Sequence, residues 1–146
     1  MKNIRITAIV TAFIGLAVSA YLAWAKVTHQ NVVCIESMGD CNLVNTSSYS
    51  EWRGIPIALF GVIGYALILA LIVAYTSNKK VKNIIPLTLF GITLFGALYS
   101  LYLTYLELFL IHALCPWCLI SAIAMIMLLV ISSILLGKSK IIESIH

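Results

Sequence analysis

The sequence has very little charge for its length. Of its 146 residues, 10% are charged, with 5 Asp+Glu against 9 Lys+Arg, whereas 62% are hydrophobic. A water-soluble domain carries about 25% charged residues to cover its surface. The composition therefore excludes an ordinary soluble domain and indicates an integral membrane protein. Because lipid offers no partners to unpaired backbone groups, we predict an all-α fold.

The chain also lacks internal repeats, low-complexity tracts and any polar stretch long enough for a separate soluble domain. We therefore interpret residues 1–146 as a single membrane domain. Proline is scarce, and each of Pro56, Pro86 and Pro116 falls in the first turn of an apolar run, where a missing N–H costs little. The net charge of +4 does not indicate nucleic-acid binding, because the basic residues lie in short clusters between the apolar runs.

Four apolar runs are present, at 4–25, 55–76, 84–106 and 114–136. Each approaches the ~20 residues that a helix needs to cross ~30 Å of hydrocarbon. The sequence therefore predicts a bundle of four transmembrane helices surrounded by membrane lipid.

The first run has an alternative interpretation as a cleavable signal peptide, because Lys2 and Arg5 precede it. Its apolar core is longer than the ~7–15 residues of a typical signal-peptide core. Tyr21 and Trp24 near its end suit an interfacial aromatic belt better than a cleavage site. Under either interpretation the following loop, 26–54, lies outside.

The distribution of basic residues predicts the topology. Most of them flank the amino terminus, the connection between the second and third runs, and the carboxyl terminus: Lys2, Arg5, Lys79, Lys80, Lys82, Lys138 and Lys140. The positive-inside rule places these segments, and hence both termini, in the cytoplasm. All four cysteines then fall on the outer side, which is the oxidising side of such a membrane.

The outer loop has a turn-rich composition. "GDC" followed by Asn, Ser and Thr predicts turns, with Ser47, Ser48 or Ser50 capping a short helix. For the sequence "SEWRGIPIALFG" at 50–61 we expect a short interfacial helix leading into the membrane, with Trp52 as its anchor.

The cysteines form two pairs. Cys34 and Cys41 (here the loop pair) bound "CIESMGDC", and Cys115 and Cys118 (the CPWC pair) begin the last apolar run. Four thiolates suit tetrahedral Zn²⁺, but one pair has an unusual spacing for zinc and the other starts a membrane helix. A second interpretation is that the cysteines form purely structural disulfides.

A redox relay is the third interpretation. The dipole and free N–H groups of a helix N-terminus stabilise a thiolate, and Pro116 suits the first helical position. A disulfide that closes over two residues exchanges readily. The CPWC pair also lies at the depth of a lipid-soluble electron acceptor, while a mobile loop pair can reach a soluble partner.

An ordered set of motifs resembles the bacterial homologues of vitamin K epoxide reductase. The set comprises the loop pair, "NLVNTSS", "GIPIALFGVIGY" and "CPWC" in the last of four spans, and it covers nearly the whole chain. The resemblance implies a four-helix bundle around a quinone, either ubiquinone or menaquinone, in the bacterial cytoplasmic membrane. The loop pair and its short helix would cover the outer mouth.

The resemblance also implies roles for individual residues. Cys115 and Cys118 correspond to the active-site pair, with Cys118 facing the quinone. Cys34 and Cys41 correspond to the shuttle pair, with Cys41 able to bridge to Cys115. Ser47 corresponds to a loop Ser or Thr near the quinone headgroup, although it is also interpretable as a turn or cap serine.

Three comparisons refine the expected activity. The unrelated disulfide bond formation protein B has the two cysteine pairs in the reverse order. Many bacterial members carry a fused thioredoxin-like domain after the last span, whereas this chain stops shortly after it, so we expect a separate thioredoxin-like partner. Vertebrate epoxide-reducing enzymes have a tyrosine and an asparagine where this sequence has Ala122 and Ile57, which favours quinone reduction over epoxide chemistry.

Candidate quinone-lining residues follow from helical spacing. Ala122 and Ile126 share the face of Cys118 at i+4 and i+8, although ordinary bundle packing also explains them. Glu107 and His112 are the ionisable residues nearest the CPWC pair in sequence. Either is a candidate to supply a proton or assist a thiolate, although an interfacial Glu or His is also interpretable as a solvated residue at the mouth of the bundle.

The sequence thus predicts a membrane thiol–disulfide oxidoreductase. Electrons would pass from a reduced thioredoxin-like partner through the loop pair and the CPWC pair to a membrane quinone, generating disulfides for secreted proteins. The alternative is a small membrane scaffold or transporter subunit whose cysteines are purely structural.

Overall fold

The computed structural model describes residues 2–34, 37, 39–77 and 83–145. Its helices are α1 (Lys2–Val27), α2 (Cys41–Thr46), α3 (Ile57–Ser77), α4 (Ile85–Leu106) and α5 (Pro116–Ile145). A π-helical segment, Glu107–Ile111, extends α4. Four stretches are long and apolar enough to cross a membrane, namely Lys2–Val27, Ile57–Ser77, Ile85–Ile111 and Pro116–Ile141. The predicted all-α membrane bundle is confirmed.

The helix ends differ from the predicted spans in two places. α5 continues well past residue 136 and carries Lys138 and Lys140 on its last turns. Pro86 and Pro116 lie in the first turns of α4 and α5 as predicted, but Pro56 lies in a short strand before α3. The basic cluster at 79–82 lies outside the described residues.

The four long helices form a ring in chain order. α1 packs against α3 and α5, and α4 packs against α5 and, less closely, against α3. Small residues of α1, including Ala8 and Ala12, are buried in the centre and allow close helix approach. The hydroxyls of Thr93 and Ser132, both buried, share a 2.8 Å hydrogen bond that joins α4 to α5. Helices α1, α4 and α5 are therefore tightly packed around these residues.

Residues 41–56, between α1 and α3, form a cap over one end of the bundle. α2 is followed by a 3₁₀ turn, Ser48–Ser50, and by an antiparallel pair of strands, β1 (Glu51–Trp52) and β2 (Ile55–Pro56). The loop thus carries a short helix. The helix predicted at 50–61 is wrong for residues 50–56, whereas residues 57–61 form the start of α3. Arg53 and Gly54 have φ of 52° and 81°, and two successive positive φ values make the tight hairpin turn that replaces the predicted helix.

Polar contacts fix the cap to α1. Lys26 Nζ donates to the Asn45 carbonyl (2.5 Å) and to Ser50 Oγ (2.8 Å), and it forms a 2.9 Å ion pair with Glu51. Asp40, rather than a serine, caps α2 by accepting the Leu43 N–H at 3.0 Å. The cap is therefore fixed to α1, and Cys41 lies at the start of α2.

Candidate active site

All four cysteines meet in one apolar cluster beneath the cap. Cys41 and Cys115 are fully buried in it, and Cys34 and Cys118 pack against it half-buried. Its other buried members come from α1, the loop, α2 and the turn before α5: Val18, Leu22, Ala25, Val32, Val44 and Ala113. Residues far apart in sequence are thus brought together at the capped end of the bundle.

The loop pair is joined by a disulfide bond, with Cα atoms 5.9 Å apart. Cys41 is the first residue of α2, and its backbone N–H points at Cys34 Sγ, 3.3 Å away. Cys34 is the more accessible of the two, whereas Cys41 is fully buried. The pair therefore has one accessible and one buried cysteine.

A close backbone contact docks the loop pair onto the turn that precedes α5. Gly39 packs against the Leu114 carbonyl, so that any Cβ at position 39 would overlap it. Gly39 also has a φ of +146°, which L side chains rarely adopt. Because Gly39 lies two residues before Cys41 and Leu114 one before Cys115, this contact holds the two pairs together.

The CPWC pair lies at the start of α5. The Cys115 carbonyl accepts the Leu119 N–H at 3.1 Å, and Cys115 Sγ accepts the Cys118 N–H at 3.4 Å, so Cys115 caps the helix with its sulfur. Both residues are free thiols. The Cys118 thiol hydrogen-bonds to Cys115 and lowers its pKa; burial opposes this, and the backbone N–H groups of Cys118 and Trp117 add to it.

Glu107 lies beside the CPWC pair. Its side chain is 4% exposed, its Oε2 accepts the Cys115 N–H at 3.3 Å, and its carboxyl interacts with the Cys118 thiol. The π-helical segment begins at this residue, and π segments often occur at functional sites. Glu107 is thus positioned to exchange a proton with the Cys118 thiol.

His112 is placed differently. It ends the π segment in the left-handed conformation (φ 55°), and its side chain is exposed on the surface. Of the two ionisable residues predicted near the CPWC pair, the structure brings Glu107 to the cysteines and leaves His112 at the bundle surface.

A cavity of about 680 Å³ adjoins the thiols. It is bounded by the cap, α3, α4 and the first turns of α5, and its lining is mostly apolar. Its polar and reactive lining includes Ser47, Tyr65, Glu107, Cys115, Cys118 and Ser121. Ser47 follows α2, and its hydroxyl donates to the Val44 carbonyl at 2.7 Å. A pocket of this size with few polar groups suits an apolar ligand with polar oxygens.

The face of α5 that lines the cavity differs from the predicted one. Ala122 is buried against other helices and Ile126 is 39% exposed, and neither lines this cavity. Ser121 and Met125 line it instead. They are three and seven residues after Cys118, so the i+3 row of the helix, rather than the i+4 row, faces the cavity.

Tyr65 is a site residue that the sequence reasoning missed. Its side chain is buried in the centre of the bundle, and its hydroxyl donates to the Ser121 carbonyl at 2.8 Å and lies 3.0 Å from Ser121 Oγ. A tyrosine within a transmembrane run was the available signal, because a buried hydroxyl needs a partner. The Tyr65 hydroxyl adds a polar group to the cavity wall at Ser121, about one turn of α5 after Cys118.

The site does not present an obvious metal centre. Within the described part of the chain, no group of three or more His, Cys, Asp or Glu side chains is arranged to hold a metal ion. Two of the four thiols that the zinc interpretation requires are joined in a disulfide. The geometry instead provides one disulfide, one dithiol and an adjoining apolar cavity.

Comparison with protein families supports a family assignment. The model of the vitamin K epoxide reductase family matches residues 6–133, which is most of the chain. The matched region includes all four cysteines, Glu107 and the four transmembrane helices up to the middle of α5.

Proposed function

The chain belongs to the vitamin K epoxide reductase family, and from this membership we propose that it oxidises a thioredoxin-like partner and passes the electrons to a membrane quinone. The observation that carries the proposal is the single cluster of four cysteines, in which the loop pair meets the CPWC pair. The CPWC pair in turn lines an apolar cavity. A multi-pass membrane oxidoreductase with this arrangement has an entry point, a transfer point and an exit for electrons.

The proposed orientation places the cap on the outer face of the bacterial cytoplasmic membrane, with both termini inside. The basic residues at the amino terminus and near the end of α5 support it, since they lie at the end of the bundle opposite the cap. Disulfide exchange then takes place in the oxidising compartment.

Electron entry uses the accessible sulfur of the loop pair. A partner thiolate attacks Cys34, forming a mixed disulfide and releasing Cys41 as a thiolate. The second thiol of the partner then attacks the partner's sulfur in the mixed disulfide. This forms the partner's disulfide and releases Cys34. The half-exposed position of Cys34 and the burial of Cys41 support this order.

Transfer to the CPWC pair follows when that pair is oxidised. Cys41 attacks Cys115, forming a Cys41–Cys115 bond and releasing Cys118. Cys34 then attacks Cys41, which restores the loop disulfide and leaves Cys115 and Cys118 reduced. The two electrons that entered from the partner now reside on the CPWC pair, next to the cavity.

The cavity fits a quinone by size and chemistry. A ring with two carbonyl oxygens requires an apolar slot with a few hydrogen-bond donors, which the lining provides. The quinone supplies a two-electron, two-proton acceptor. Cys118 delivers the electron pair while Cys115 forms a disulfide bond with Cys118. The two thiol protons are transferred together with the two electrons. Glu107 relays a proton, because its carboxyl contacts both cysteines.

The lipid-facing side of the cavity suits the isoprenoid tail. Phe60, Ile63 and Leu67 of α3 and Phe95 of α4 line the cavity, yet they are 41–72% exposed on the bundle surface. The cavity therefore opens laterally between α3 and α4. We assign this opening to the passage of quinone and quinol from and to the bilayer.

The ability of the CPWC pair to reduce quinone is testable without a partner. Purified protein reduced at all four cysteines is mixed anaerobically with ubiquinone or menaquinone, and its disulfides are mapped by alkylation and mass spectrometry. The proposal predicts rapid oxidation of Cys115 and Cys118, and slow oxidation of the loop pair in a Cys118→Ala variant. A scaffold with structural disulfides would oxidise at the same rate with and without quinone.

A further inference from the structure

The backbone of Val33, the residue before Cys34, is held on both sides. Its N–H donates to the Tyr21 hydroxyl of α1 at 3.0 Å, and its carbonyl accepts from Trp117 Nε1 of α5 at 2.9 Å. The Tyr21 and Trp117 rings also pack against each other, with centroids 5.4 Å apart. Two aromatic side chains from different transmembrane helices therefore hold the two peptide groups that flank the Cα atom of Val33.

The neighbouring residue adds a third attachment. The Val32 N–H donates to Asn42 Oδ1 of α2 at 2.8 Å, which ties the segment to the helix that Cys41 begins. The Val33 side chain is 75% exposed, so apolar burial of that side chain does little to fix its position. At Val33 itself the constraint therefore comes from backbone hydrogen bonds, whereas the adjacent Val32 is held by burial of its side chain in the cysteine cluster.

We propose that Trp117 and Tyr21 are positioning residues for exchange between the two cysteine pairs, holding the Val33 backbone so that the loop disulfide stays docked over the CPWC pair. The inference rests on the proposed relay function. Trp117 lies between Cys115 and Cys118 in the first turn of α5 and therefore moves with them. The hydrogen bond from its indole N–H to the Val33 carbonyl therefore aligns the loop disulfide with the thiols of the CPWC pair.

The chemical consequence is a rate effect on one step. Exchange requires the attacking thiolate to approach the disulfide sulfur closely, and small displacements of a docked group slow such steps. Trp117→Phe keeps an aromatic ring against Tyr21 but removes the indole N–H that donates a hydrogen bond to the Val33 carbonyl. Loss of one such hydrogen bond corresponds to roughly a threefold to tenfold change in a population or rate.

The test compares two backgrounds. In the parent, Trp117→Phe is expected to slow partner-driven quinone reduction roughly threefold to tenfold. In a Cys34→Ala, Cys41→Ala background, dithiothreitol reduces the CPWC pair directly, and the same substitution is expected to leave quinone reduction unchanged. Trp24→Phe is the matched control, because Trp24 also stacks on Tyr21 but is 57% exposed on the bundle surface. It should behave as the parent.

A second readout does not depend on turnover. In hydrogen exchange, the Val33 amide should exchange several-fold faster in both Trp117→Phe and Tyr21→Phe than in the parent or in Trp24→Phe. Equal slowing of quinone reduction in both backgrounds would overturn the inference, because Trp117 would then act on the thiols themselves. Unchanged exchange at Val33 would also overturn it. A parent that reduces no quinone would instead defeat the proposed function, and this failure appears before any substitution is made.

Discussion

The backbone N–H of Cys118 points at the sulfur of Cys115, 3.4 Å away. This contact makes Cys115 the N-cap of α5 and gives the two cysteines different environments, although they are three residues apart. Cys115 is buried and receives hydrogen bonds that stabilise a thiolate, whereas Cys118 is partly exposed, and both line the cavity beside Glu107. In the proposed relay, this difference assigns exchange with the loop pair to Cys115 and delivery to the acceptor to Cys118.

The first prediction concerns ionisation of Cys115. Because hydrogen bonding lowers its pKa, its thiolate should persist at a pH below the ordinary thiol range near ~8.5. In a Cys34→Ala, Cys41→Ala variant with the CPWC pair reduced, a pH titration of thiolate ultraviolet absorbance should show one early ionisation. Cys118→Ala removes the largest cause and should move that ionisation to higher pH. An unshifted titration would contradict the assignment.

The second prediction concerns the bridge between the pairs. In a Cys34→Ser, Cys118→Ser variant, the remaining Cys41 and Cys115 should form a disulfide in high yield, because both are buried in the same cluster. The matched Cys41→Ser, Cys118→Ser variant leaves the more exposed Cys34 with Cys115 and should cross-link less. Non-reducing peptide mapping measures both yields. A reversed order would mean that Cys34, and not Cys41, faces the CPWC pair.

The third prediction assigns the proton relay. Glu107→Gln should lower the rate of quinone reduction by roughly 100-fold, since an amide cannot exchange a proton. In the Cys34→Ser, Cys118→Ser background, the same substitution should leave the Cys41–Cys115 cross-linking yield nearly unchanged. His112→Asn is the control, because His112 is exposed and asparagine accepts its left-handed conformation. Stopped-flow measurement of quinone reduction distinguishes the two. Equal losses in both variants would exclude a specific role for Glu107.

The fourth prediction tests loop docking. Gly39→Ala introduces a Cβ against the Leu114 carbonyl at a positive φ, with a strain cost of about 1–3 kcal/mol. In the Cys34→Ser, Cys118→Ser background it should reduce Cys41–Cys115 cross-linking. Gly91→Ala in α4 serves as the control, because a Cβ there meets no atom within 4 Å. Similar cross-linking in both glycine variants would show that the Gly39 contact does not hold the loop.

Much of the fold was predictable because a bilayer restricts the options. Four apolar runs must be helices, and prolines at 86 and 116 correctly indicated where two of them begin. The hairpin at 51–56 was not predicted, because Trp52 and Arg53 also suit an interfacial helix. Its determinant is the positive φ at Arg53 and Gly54, and arginine gives no local signal for that conformation.

The site was predictable at the level of its cysteines and less so around them. Residues with distinctive chemistry, such as Glu107 in an apolar run, are visible in the sequence, and the structure places this one beside the thiols. The choice between Ser121 and Ala122 depends on the rotation of α5 against α3, which packing sets. The hydrogen bond from Trp117 to Val33 joins residues 84 positions apart, beyond the reach of local patterns.

The most direct test of the central claim is anaerobic turnover with all components defined. Purified protein is mixed with a reduced thioredoxin-like oxidase and ubiquinone or menaquinone, and quinol and partner disulfide are quantified together. The relay predicts one quinol for each partner disulfide, with turnover abolished in Cys118→Ala. Absence of quinol, with Cys118→Ala indistinguishable from the parent, would contradict it.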